Sequence, residues 1–354
     1  MNSKTQVAIV GYGVIGKRVA EAVARQPDMA LAGVADVVAD WRVRVAGNLQ
    51  IPLYAADASA SEGMRAAGLH LSGSLDNLLS ISDIVVDCTP KRVGTRNAER
   101  YRAAGKPFVL HGGEKHEVAG HSFVAESNYA SAVGRQATRV VSCNTTSIVR
   151  TLGALKRAGL LRRARGTLLR RATDPWESHL GGIMNTVLPE PSIPSHQGPD
   201  ARSVDPELDV VTMAVAVPTT IAHVHYWAVD LTRSASKDEV LQAFAGSSRI
   251  ALINGSTGLA APNVVKELMA DSGRPHDSLY EVGLWADMLC VEGAELFYAY
   301  MVDNQAIVIP ETIDAIRALT GNQVPAGESI ALTDITLGMG MPFAAKRPPL
   351  APVA

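Results

Sequence analysis

The sequence predicts two domains, a doubly wound α/β domain with a mostly parallel sheet and an α+β domain with a largely antiparallel sheet. The chain has 354 residues, which is long for one hydrophobic core, so two domains are expected. As far as Val141, apolar strand-like segments alternate with segments of helical periodicity, which indicates parallel strands joined by helices. Beyond the helix that follows, strand-like segments succeed one another with few helices between them, which is typical of an antiparallel sheet.

The composition is that of an ordinary soluble globular protein, with 47% hydrophobic and 19% charged residues. A formal net charge of −2 gives no reason to expect nucleic acid as a partner. The three scattered cysteines have no CxxC spacing, which argues against a disulfide framework and a structural zinc site and favours a reducing compartment. Because no signal-peptide pattern and no apolar run of membrane-spanning length occur, we expect a cytoplasmic protein without a membrane partner.

The first predicted strand, Gln6 to Val10, runs directly into Gly11-Tyr12-Gly13-Val14-Ile15-Gly16 and then into a segment of helical periodicity. A GxGxxG turn between a strand and a helix is the fingerprint of a Rossmann dinucleotide-binding unit. Gly11 makes the tight turn, Gly13 lets a pyrophosphate approach the backbone, and Gly16 lets helix and strand pack closely. We therefore predict that Gly11, Gly13, Val14, Ile15 and Gly16 bind a dinucleotide. The alternative is a plain βαβ unit that binds nothing.

The second predicted strand, Ala30 to Ala35, ends in Asp36, twenty residues beyond Gly16. A carboxylate at this place accepts hydrogen bonds from the ribose hydroxyls of the adenosine half and repels a phosphate at the 2′ position. Asp36 therefore predicts NAD as the preferred cofactor. NADP is the alternative, because nearby Arg42 and Arg44 add positive charge.

Two later strands of this half end in polar or glycine-rich turns. The strand from Asp83 ends in Cys88-Thr89-Pro90, and the strand from Lys106 is followed by His111-Gly112-Gly113-Glu114. Ligands of doubly wound sheets collect at the carboxyl ends of the strands, so we expect Thr89 and Gly112 to line the nicotinamide end of the crevice. For Gly112, turn chemistry alone is an equal alternative.

Cys143 lies where the apolar strand ending at Val141 meets a predicted helix, Ser147 to Gly159. Helix N-termini favour thiolate over thiol, which makes Cys143 a candidate nucleophile. The alternative is a small buried hydrophobic residue. The neighbouring Asn144 and Thr145 suit a polar substrate site better than an apolar core.

His223 and His225 lie at i and i+2 of a predicted strand and so share one face. One of them is a candidate general base and the other a packed core histidine. No third ligand is evident nearby, so no metal site is expected.

Arg170 and Arg171 end another predicted strand, and His196 follows in a glycine- and proline-rich stretch. With His196, one of the two arginines makes a credible anion site for a phosphorylated substrate or inorganic phosphate. The alternative is a pair of solvated positions on an edge strand.

A dinucleotide fold combined with a nucleophilic cysteine narrows the reaction class. A thiolate adds to an aldehyde to give a thiohemiacetal, which passes hydride to a nicotinamide and leaves a thioester. Water, a thiol or phosphate then releases the acyl group.

Eight motifs follow one another along the chain. They are VAIVGYGVIGKRVAEAV from Val7, CTP from Cys88, HGGEKHEVAGHSFVAESNY from His111, RVVSCNTTS from Arg139, RRATDP from Arg170, IPSHQGPD from Ile193, TMAVAVPTTIAHVH from Thr212 and IVIPETIDAIRAL from Ile307. On these motifs the chain resembles the type II, archaeal-type glyceraldehyde-3-phosphate dehydrogenases along nearly its whole length.

This resemblance implies oxidation of glyceraldehyde 3-phosphate with NAD(P)+ and inorganic phosphate to 1,3-bisphosphoglycerate by a homo-oligomer, usually a tetramer. By matching motifs, Cys143 is the nucleophile and His223 the base, while Arg170, Arg171 and His196 surround the anion sites. It also implies a nucleotide-binding domain of residues 1–141 and 306–354 and a catalytic domain of residues 142–305. Within the first, 342–354 is expected to be a poorly ordered tail.

Three stretches depart from the family pattern. Asp36-Val37-Val38 replaces a lysine-rich KTK, Ser195-His196-Gln197 replaces SHH, and Asp303-Asn304-Gln305-Ala306 replaces HQES. The last change leaves a relative acting on another small anionic aldehyde as the alternative function. A non-catalytic nucleotide-sensing protein is a further alternative, which the presence of both nucleophile and base disfavours.

Overall fold

In the computed structural model the described residues are 4–111, 113–172, 187–321 and 324–340. They form two eight-stranded sheets with connecting helices, which confirms the predicted combination of a parallel α/β unit with a largely antiparallel one. Gly112 and the expected tail, 342–354, lie outside the described residues. None of the helices in the described part of the chain is long and apolar enough to cross a membrane.

The first sheet is parallel throughout. Its strands are β1 (Thr5–Val10), β2 (Met29–Asp36), β3 (Leu53–Ala55), β4 (Gly73–Ser74), β5 (Ile84–Asp87), β6 (Phe108–Leu110), β7 (Ser122–Phe123) and β8 (Ala137–Val140). The connecting helices are α1 (Val14–Ala24), α2 (Trp41–Asn48), α3 (Ala58–Ala66), α4 (Leu75–Ile81), α5 (Val93–Ala103), α6 (His116–Ala119) and α7 (Ala125–Ala132). The strand order is β4-β3-β2-β1-β5-β6-β8-β7, which reverses between β1 and β5, and ligands of such sheets bind at the carboxyl ends beside that point.

Both faces of this sheet are covered, because successive residues of a strand point to opposite sides. Val7 and Ile9 of β1 lie in one core together with the buried residues of α1. Ala8 and Val10 lie in a second core with buried residues of α4 and α5. This two-sided burial explains why the central strands read as continuous apolar runs in the sequence.

The second sheet is mixed. Its strands are β9 (Leu161–Arg171), β10 (Leu188–Pro189), β11 (Val210–Val217), β12 (His223–Leu231), β13 (Ile250–Ile253), β14 (Val282–Trp285), β15 (Cys290–Glu292) and β16 (Glu295–Val302). The order is β10-β11-β9-β12-β16-β14-β13, with β15 on β16, and only the pairs β9–β11 and β13–β14 are parallel among the pairs that the described residues form. The single strand predicted over Cys290 to Val302 is a hairpin, because Gly293 (φ +63°) turns the chain between β15 and β16.

The remaining helices are α8 (Cys143–Arg157), α9 (Gln197–Arg202), α10 (Lys237–Ala245), α11 (Pro262–Asp271), α12 (Val308–Leu319) and α13 (Ala326–Leu337), with 3₁₀ turns at Gly255–Thr257 and Pro275–Asp277. Helix α8 begins four residues earlier than predicted. It contacts the helices α7, α9 and α10 and the strands β9, β14 and β16 of the second sheet. Helix α12 packs against α1, α7 and β8, so the C-terminal part of the chain returns to the first sheet.

A buried ionic network joins α8 to α12. Glu311 of α12 accepts hydrogen bonds from Arg150 of α8 at 2.6 and 3.0 Å, from Arg249 at 3.0 Å and from the backbone N–H of Ala125 at 2.6 Å. Arg249 also binds Asp314, and the side chains of both arginines and both acids are fully buried. The network therefore fixes α8 by charge-assisted hydrogen bonds as well as by apolar packing.

Candidate active site

Cys143 is the first residue of α8 and follows β8 after only two residues. Ser142 caps the helix, because its hydroxyl accepts the backbone N–H of Thr145 at 3.3 Å. The thiol therefore lies at a helix N-terminus, where backbone N–H groups remain unpaired. Part of the Cys143 surface is accessible, whereas Asn144 and Thr145 are buried.

The nearest titratable partner of the thiol is His223, the first residue of β12. Its Nε2 lies 3.4 Å from Cys143 Sγ. The other ring nitrogen, Nδ1, accepts the backbone N–H of Arg171 at 3.0 Å. Since a neutral imidazole carries one proton, this bond leaves the proton on Nε2, which faces the sulfur.

Burial dominates the proton affinities of both groups. It raises the pKa of the Cys143 thiol to about 11, although Arg171, the backbone N–H of Asn144 and Arg170 lower that pKa. The helix N-terminus therefore lowers the thiol pKa by less than burial raises it, contrary to the sequence-based expectation that this position favours the thiolate. Burial, followed by the charges of His225, Arg171 and Arg170, lowers the pKa of His223 well below its ordinary value, so His223 is neutral at neutral pH.

His225 lies two residues further along β12 and is fully buried. Its Nε2 is 2.8 Å from Asn144 Oδ1, and its Nδ1 is 2.8 Å from the hydroxyl of Tyr300. Burial lowers its pKa to about 3, so it stays neutral. His225 is thus held between two polar neighbours and fixes the orientation of the amide beside the nucleophile.

The predicted anion-binding side chains lie at the end of β9 and before α9. Arg170 Nη1 donates to Glu190 Oε2 at 2.9 Å, and His196 Nδ1 is 2.8 Å from Glu190 Oε1. One carboxylate therefore brings Arg170 and His196 together. Arg170 and Arg171 both lower the pKa of Cys143, so both guanidinium groups lie near the nucleophile.

Thr145 is predicted, together with Asn144, to bind substrate, but its side chain contacts a residue of α9. Its hydroxyl donates to Asp200 Oδ2 at 2.8 Å. Asp200 also binds Arg139, so Thr145 belongs to a polar cluster that ties α8 to α9.

The glycine-rich turn has the geometry of an anion cradle. A Cβ on Gly11 (φ +89°) would lie 2.9 Å from the Cys88 carbonyl carbon, and one on Gly16 would lie 2.0 Å from the Gly11 oxygen, so neither position accepts a side chain. Beside Gly13 the space is open within 4 Å, and this residue caps α1 without a side-chain hydrogen bond. The backbone N–H groups of Val14 and Ile15 in the first helical turn suit a pyrophosphate there.

Comparison with known proteins finds relatives along almost the whole chain. Residues 142–271 match the family model "Glyceraldehyde 3-phosphate dehydrogenase, C-terminal domain", and residues 5–117 match "Dihydrodipicolinate reductase, N-terminus". The glyceraldehyde-3-phosphate dehydrogenase of Pyrobaculum calidifontis is 43% identical over 335 residues, 94% of this chain and 96% of the relative. The enzyme of Metallosphaera sedula is 41% identical over 95% of this chain and 98% of the relative. The enzyme of Haloarcula marismortui is 42% identical over 94% of this chain and 94% of the relative. The chain belongs to the archaeal-type glyceraldehyde-3-phosphate dehydrogenase family.

This family consists of NAD(P)-dependent oxidoreductases. Asp36 ends β2, which is the position that an acidic residue takes in Rossmann units in general. Its carboxylate accepts the backbone N–H of Tyr12, in the glycine turn, at 2.6 Å, and those of Val37 and Val38 at 2.7 and 3.2 Å. These bonds hold the carboxylate beside the turn.

Two basic residues, Arg42 and Arg44, are expected from the sequence to reduce the repulsion between Asp36 and a 2′-phosphate, but their side chains donate hydrogen bonds to other groups. Arg42 Nε donates to both oxygens of Asp40 at 3.0 Å, and Arg44 Nη2 donates to the Ala67 carbonyl at 3.0 Å.

Thr89 follows β5, as predicted, but its hydroxyl and its backbone N–H both bind Asp87, so it shapes the strand end. Gly112 lies outside the described residues. The described residues contain no group of three or more His, Cys, Asp or Glu side chains suited to a metal ion.

Asn304 is a polar residue whose importance the sequence did not reveal. It is buried, and within the described ranges neither oxygen nor nitrogen of its amide has a hydrogen-bond partner. The charge of neighbouring Asp303 raises the pKa of Cys143, and Gln305 accepts a bond from Arg18 of α1 at 3.1 Å. Asn304 is therefore a buried amide without a hydrogen-bond partner among the described residues, which suits a polar group of a bound cofactor or substrate. In the sequence it is visible only as part of the stretch that departs from the family pattern.

Proposed function

We propose that the chain is a phosphorylating glyceraldehyde-3-phosphate dehydrogenase that uses Cys143 as its nucleophile and releases 1,3-bisphosphoglycerate with inorganic phosphate. The observation that carries this proposal is the 3.4 Å contact between Cys143 Sγ and His223 Nε2 at the N-terminus of α8, in a chain of this family. A glycolytic or gluconeogenic role follows from this activity.

The chemistry requires a covalent intermediate on Cys143. Because burial raises the thiol pKa to about 11, Cys143 first releases its proton to solvent. The thiolate sulfur then forms a bond to the aldehyde carbon, and the π electron pair of the carbonyl moves to its oxygen. The nicotinamide supplies the hydride acceptor. As hydride leaves, the oxygen lone pair restores the carbonyl, so the carbon is oxidised to a thioester. Phosphate then attacks this carbon and the sulfur leaves as thiolate.

In this proposal His223 acts as a hydrogen-bond donor. The Arg171 N–H at Nδ1 opposes the imidazolium form, because that form would place two N–H groups head to head. Nε2–H can donate to the thiolate and then to the alkoxide oxygen, from which hydride transfer needs no proton removal. The general-base role that the sequence predicts would instead require the other tautomer and loss of the Arg171 bond.

Two substitutions of His223 separate these roles. Glutamine carries an amide N–H near the position of Nε2, whereas asparagine carries it near Nδ1 and does not reach Cys143. A hydrogen bond to a charged group contributes about 1.5–3 kcal/mol, so we expect His223→Gln to stay within about tenfold of the wild-type rate and His223→Asn to lose about 10²-fold. Single-turnover NADH formation measures the step. Equal losses of about 10²–10⁴-fold in both variants would assign the base role to His223.

Arg170, Arg171 and His196 are the groups we assign to phosphate binding, with Asn144 and Thr145 beside the reacting carbon. Their support is the closeness of both guanidinium groups to Cys143 and the contact of Arg170 and His196 with a common carboxylate. Guanidinium groups bind phosphate oxygens through charge-assisted hydrogen bonds, which suits a phosphorylated aldehyde and inorganic phosphate.

For the cofactor we propose NAD in preference to NADP. Asp36 repels a 2′-phosphate, and the guanidinium groups of Arg42 and Arg44 donate to Asp40 and to the Ala67 carbonyl. We expect kcat/KM for NAD+ to exceed that for NADP+ by at least about tenfold, or about 1.4 kcal/mol, and Asp36→Asn to narrow the ratio. Steady-state rates with the two cofactors measure it. A higher kcat/KM with NADP+ in the wild type contradicts the assignment.

We further propose that residues 1–141 with 306–354 form the nucleotide-binding domain and residues 142–305 the catalytic domain, with a homotetramer in the cytoplasm. The packing of α12 on α1, α7 and β8 supports the return of the C-terminal part to the first domain. Sedimentation of the purified protein tests the tetramer.

The decisive assay is NADH formation from glyceraldehyde 3-phosphate with and without inorganic phosphate. Phosphate-dependent turnover supports the proposal. Turnover of other anionic aldehydes at higher kcat/KM would favour the related dehydrogenase that the Asp303–Ala306 stretch leaves as the alternative. The absence of turnover with any aldehyde would favour a nucleotide-sensing protein.

A further inference from the structure

Glu190 connects two side chains of the proposed phosphate site. Its Oε2 accepts Arg170 Nη1 at 2.9 Å, and its Oε1 lies 2.8 Å from His196 Nδ1 and accepts the His196 backbone N–H at 3.4 Å. The residue follows β10, and its own N–H binds the Ala214 carbonyl at 2.9 Å, which holds it beside β11. The carboxylate is therefore positioned by the fold between two donors that a phosphate would need.

Arg170 and His196 together are called the subsite here. We propose that the Glu190 carboxylate occupies this subsite when phosphate is absent, and that a phosphate dianion must displace it in order to bind. The proposal rests on the proposed function, because it takes Arg170 and His196 as phosphate ligands. A carboxylate and a phosphate both present negatively charged acceptor oxygens to the same donors, so they compete for Arg170 and His196. Glu190 thus sets how strongly the enzyme selects a phosphate over weaker anions such as carboxylates.

The position of Arg170 makes the subsite relevant to the reaction. Arg170 lies on β9 at i+2 from Leu168, on the strand face of that buried residue. Leu168 is the pairing partner of His225 in β12. The charge of Arg170 lowers the pKa of Cys143, His223 and His225. A phosphate bound at Arg170 is therefore close to the nucleophile.

Phosphate can displace the Glu190 carboxylate because the contacts of Glu190 with Arg170 and His196 are weak. The side chains of Arg170, Glu190 and His196 are 35%, 18% and 60% exposed. An ion pair in such a setting changes an equilibrium by no more than about fivefold. Phosphate has more charge and more acceptor oxygens than a carboxylate, so it can replace Glu190 at small cost.

Glu190 remains charged when the enzyme works. Burial alone would raise its pKa, but the hydrogen bonds and charge of His196 and the charge of Arg170 lower that pKa below the ordinary value. At neutral pH the subsite therefore contains a carboxylate whenever phosphate is absent.

The test compares wild type with Glu190→Gln, which keeps the shape of the side chain and removes its charge. Calorimetric titration of the free enzyme with inorganic phosphate should give about a three- to fivefold lower Kd in the variant. In steady state, the KM for glyceraldehyde 3-phosphate or the KM for inorganic phosphate should fall by a similar factor, and the one that falls identifies which phosphate uses the subsite. The KM for glyceraldehyde, which has no phosphate, should change less than about twofold.

Glu207→Gln is the matched control. Glu207 pairs with Lys156 at the far end of α8 from Cys143 and is 77% exposed, so its loss of charge should leave phosphate binding unchanged. An unchanged or raised Kd and KM for phosphate in Glu190→Gln would overturn the inference and make Glu190 a residue that orders Arg170 and His196. If the wild type bound phosphate but did not oxidise glyceraldehyde 3-phosphate, the proposed function would fail while the calorimetric comparison still decided the role of Glu190.

Discussion

Cys143→Ser is expected to abolish turnover of glyceraldehyde 3-phosphate, with a loss of at least about four orders of magnitude in kcat. An alcohol ionises far above neutral pH, so serine cannot supply the nucleophile that the N-terminus of α8 presents to the aldehyde. The glycine turn and Asp36 are not altered, so binding of NAD+ should persist. Steady-state NADH formation measures the first effect, and quenching of protein fluorescence by NAD+ measures the second.

The other cysteines serve as controls. Cys88 lies behind Gly11, where burial raises its thiol pKa well above the ordinary value, and Cys290 is exposed on β15. Neither has His223 as a neighbour, so serine at either position should leave most of the activity. If Cys143→Ser retained more than about a tenth of the wild-type kcat, a covalent route through this residue would be wrong.

Glu311→Gln is expected to cause the largest loss of stability, about 3–5 kcal/mol in the free energy of unfolding. The neutral amide leaves Arg150 without its ion-pair partner and removes one of the counter-charges of Arg249, which keeps Asp314 and Asp334. Water is excluded from this site, since the side chains of Glu311, Arg150 and Arg249 are fully buried. Burial by itself raises the pKa of Glu311, but Arg249 and Arg150 lower it below the ordinary value. This contribution is therefore present at neutral pH and is lost as the pH falls through the lowered pKa of the folded state.

The measurement is the denaturant midpoint of unfolding, followed by circular dichroism. Glu239→Gln is the matched control, because it breaks an ion pair with Arg233 that is largely exposed, and its midpoint should not move. A Glu311→Gln protein as stable as this control would show that the buried network contributes little to the fold.

The sequence predicts the structure best at positions where a local steric constraint admits only one residue type. Gly16 cannot be replaced because a Cβ would meet the Gly11 oxygen at 2.0 Å, and such constraints make the GxGxxG turn readable without a structure. The alternation of apolar runs with helical periods in the first half likewise fixes a parallel sheet. In the second half most strands are predicted from the sequence, but β10 and β14 are not. The parallel pairs β9–β11 and β13–β14 are not predicted either, because no local pattern encodes strand pairing.

The sequence predicts much less of the site where partners are distant along the chain. The Arg171 backbone N–H that selects the tautomer of His223 lies 52 residues away, and Arg150 and Glu311 are separated by 161 residues. No local pattern encodes such contacts. The thiol pKa has the same origin, because the burial that raises it is a property of the assembled cleft and not of the strand–helix junction.

The position of helix α12 late in the sequence determines when the protein can finish folding during its synthesis. All twelve of its residues are buried, and α13 is the one later element that packs on it among the described residues, whereas α1, α7, α8 and β8 are translated much earlier. Until the ribosome has passed Leu319, a nascent chain therefore exposes an apolar groove and leaves Arg150 without Glu311. Such a surface is prone to aggregation and recognised by chaperones. The helix that bears Cys143 therefore acquires the Arg150–Glu311 contact only after 161 further residues have been made.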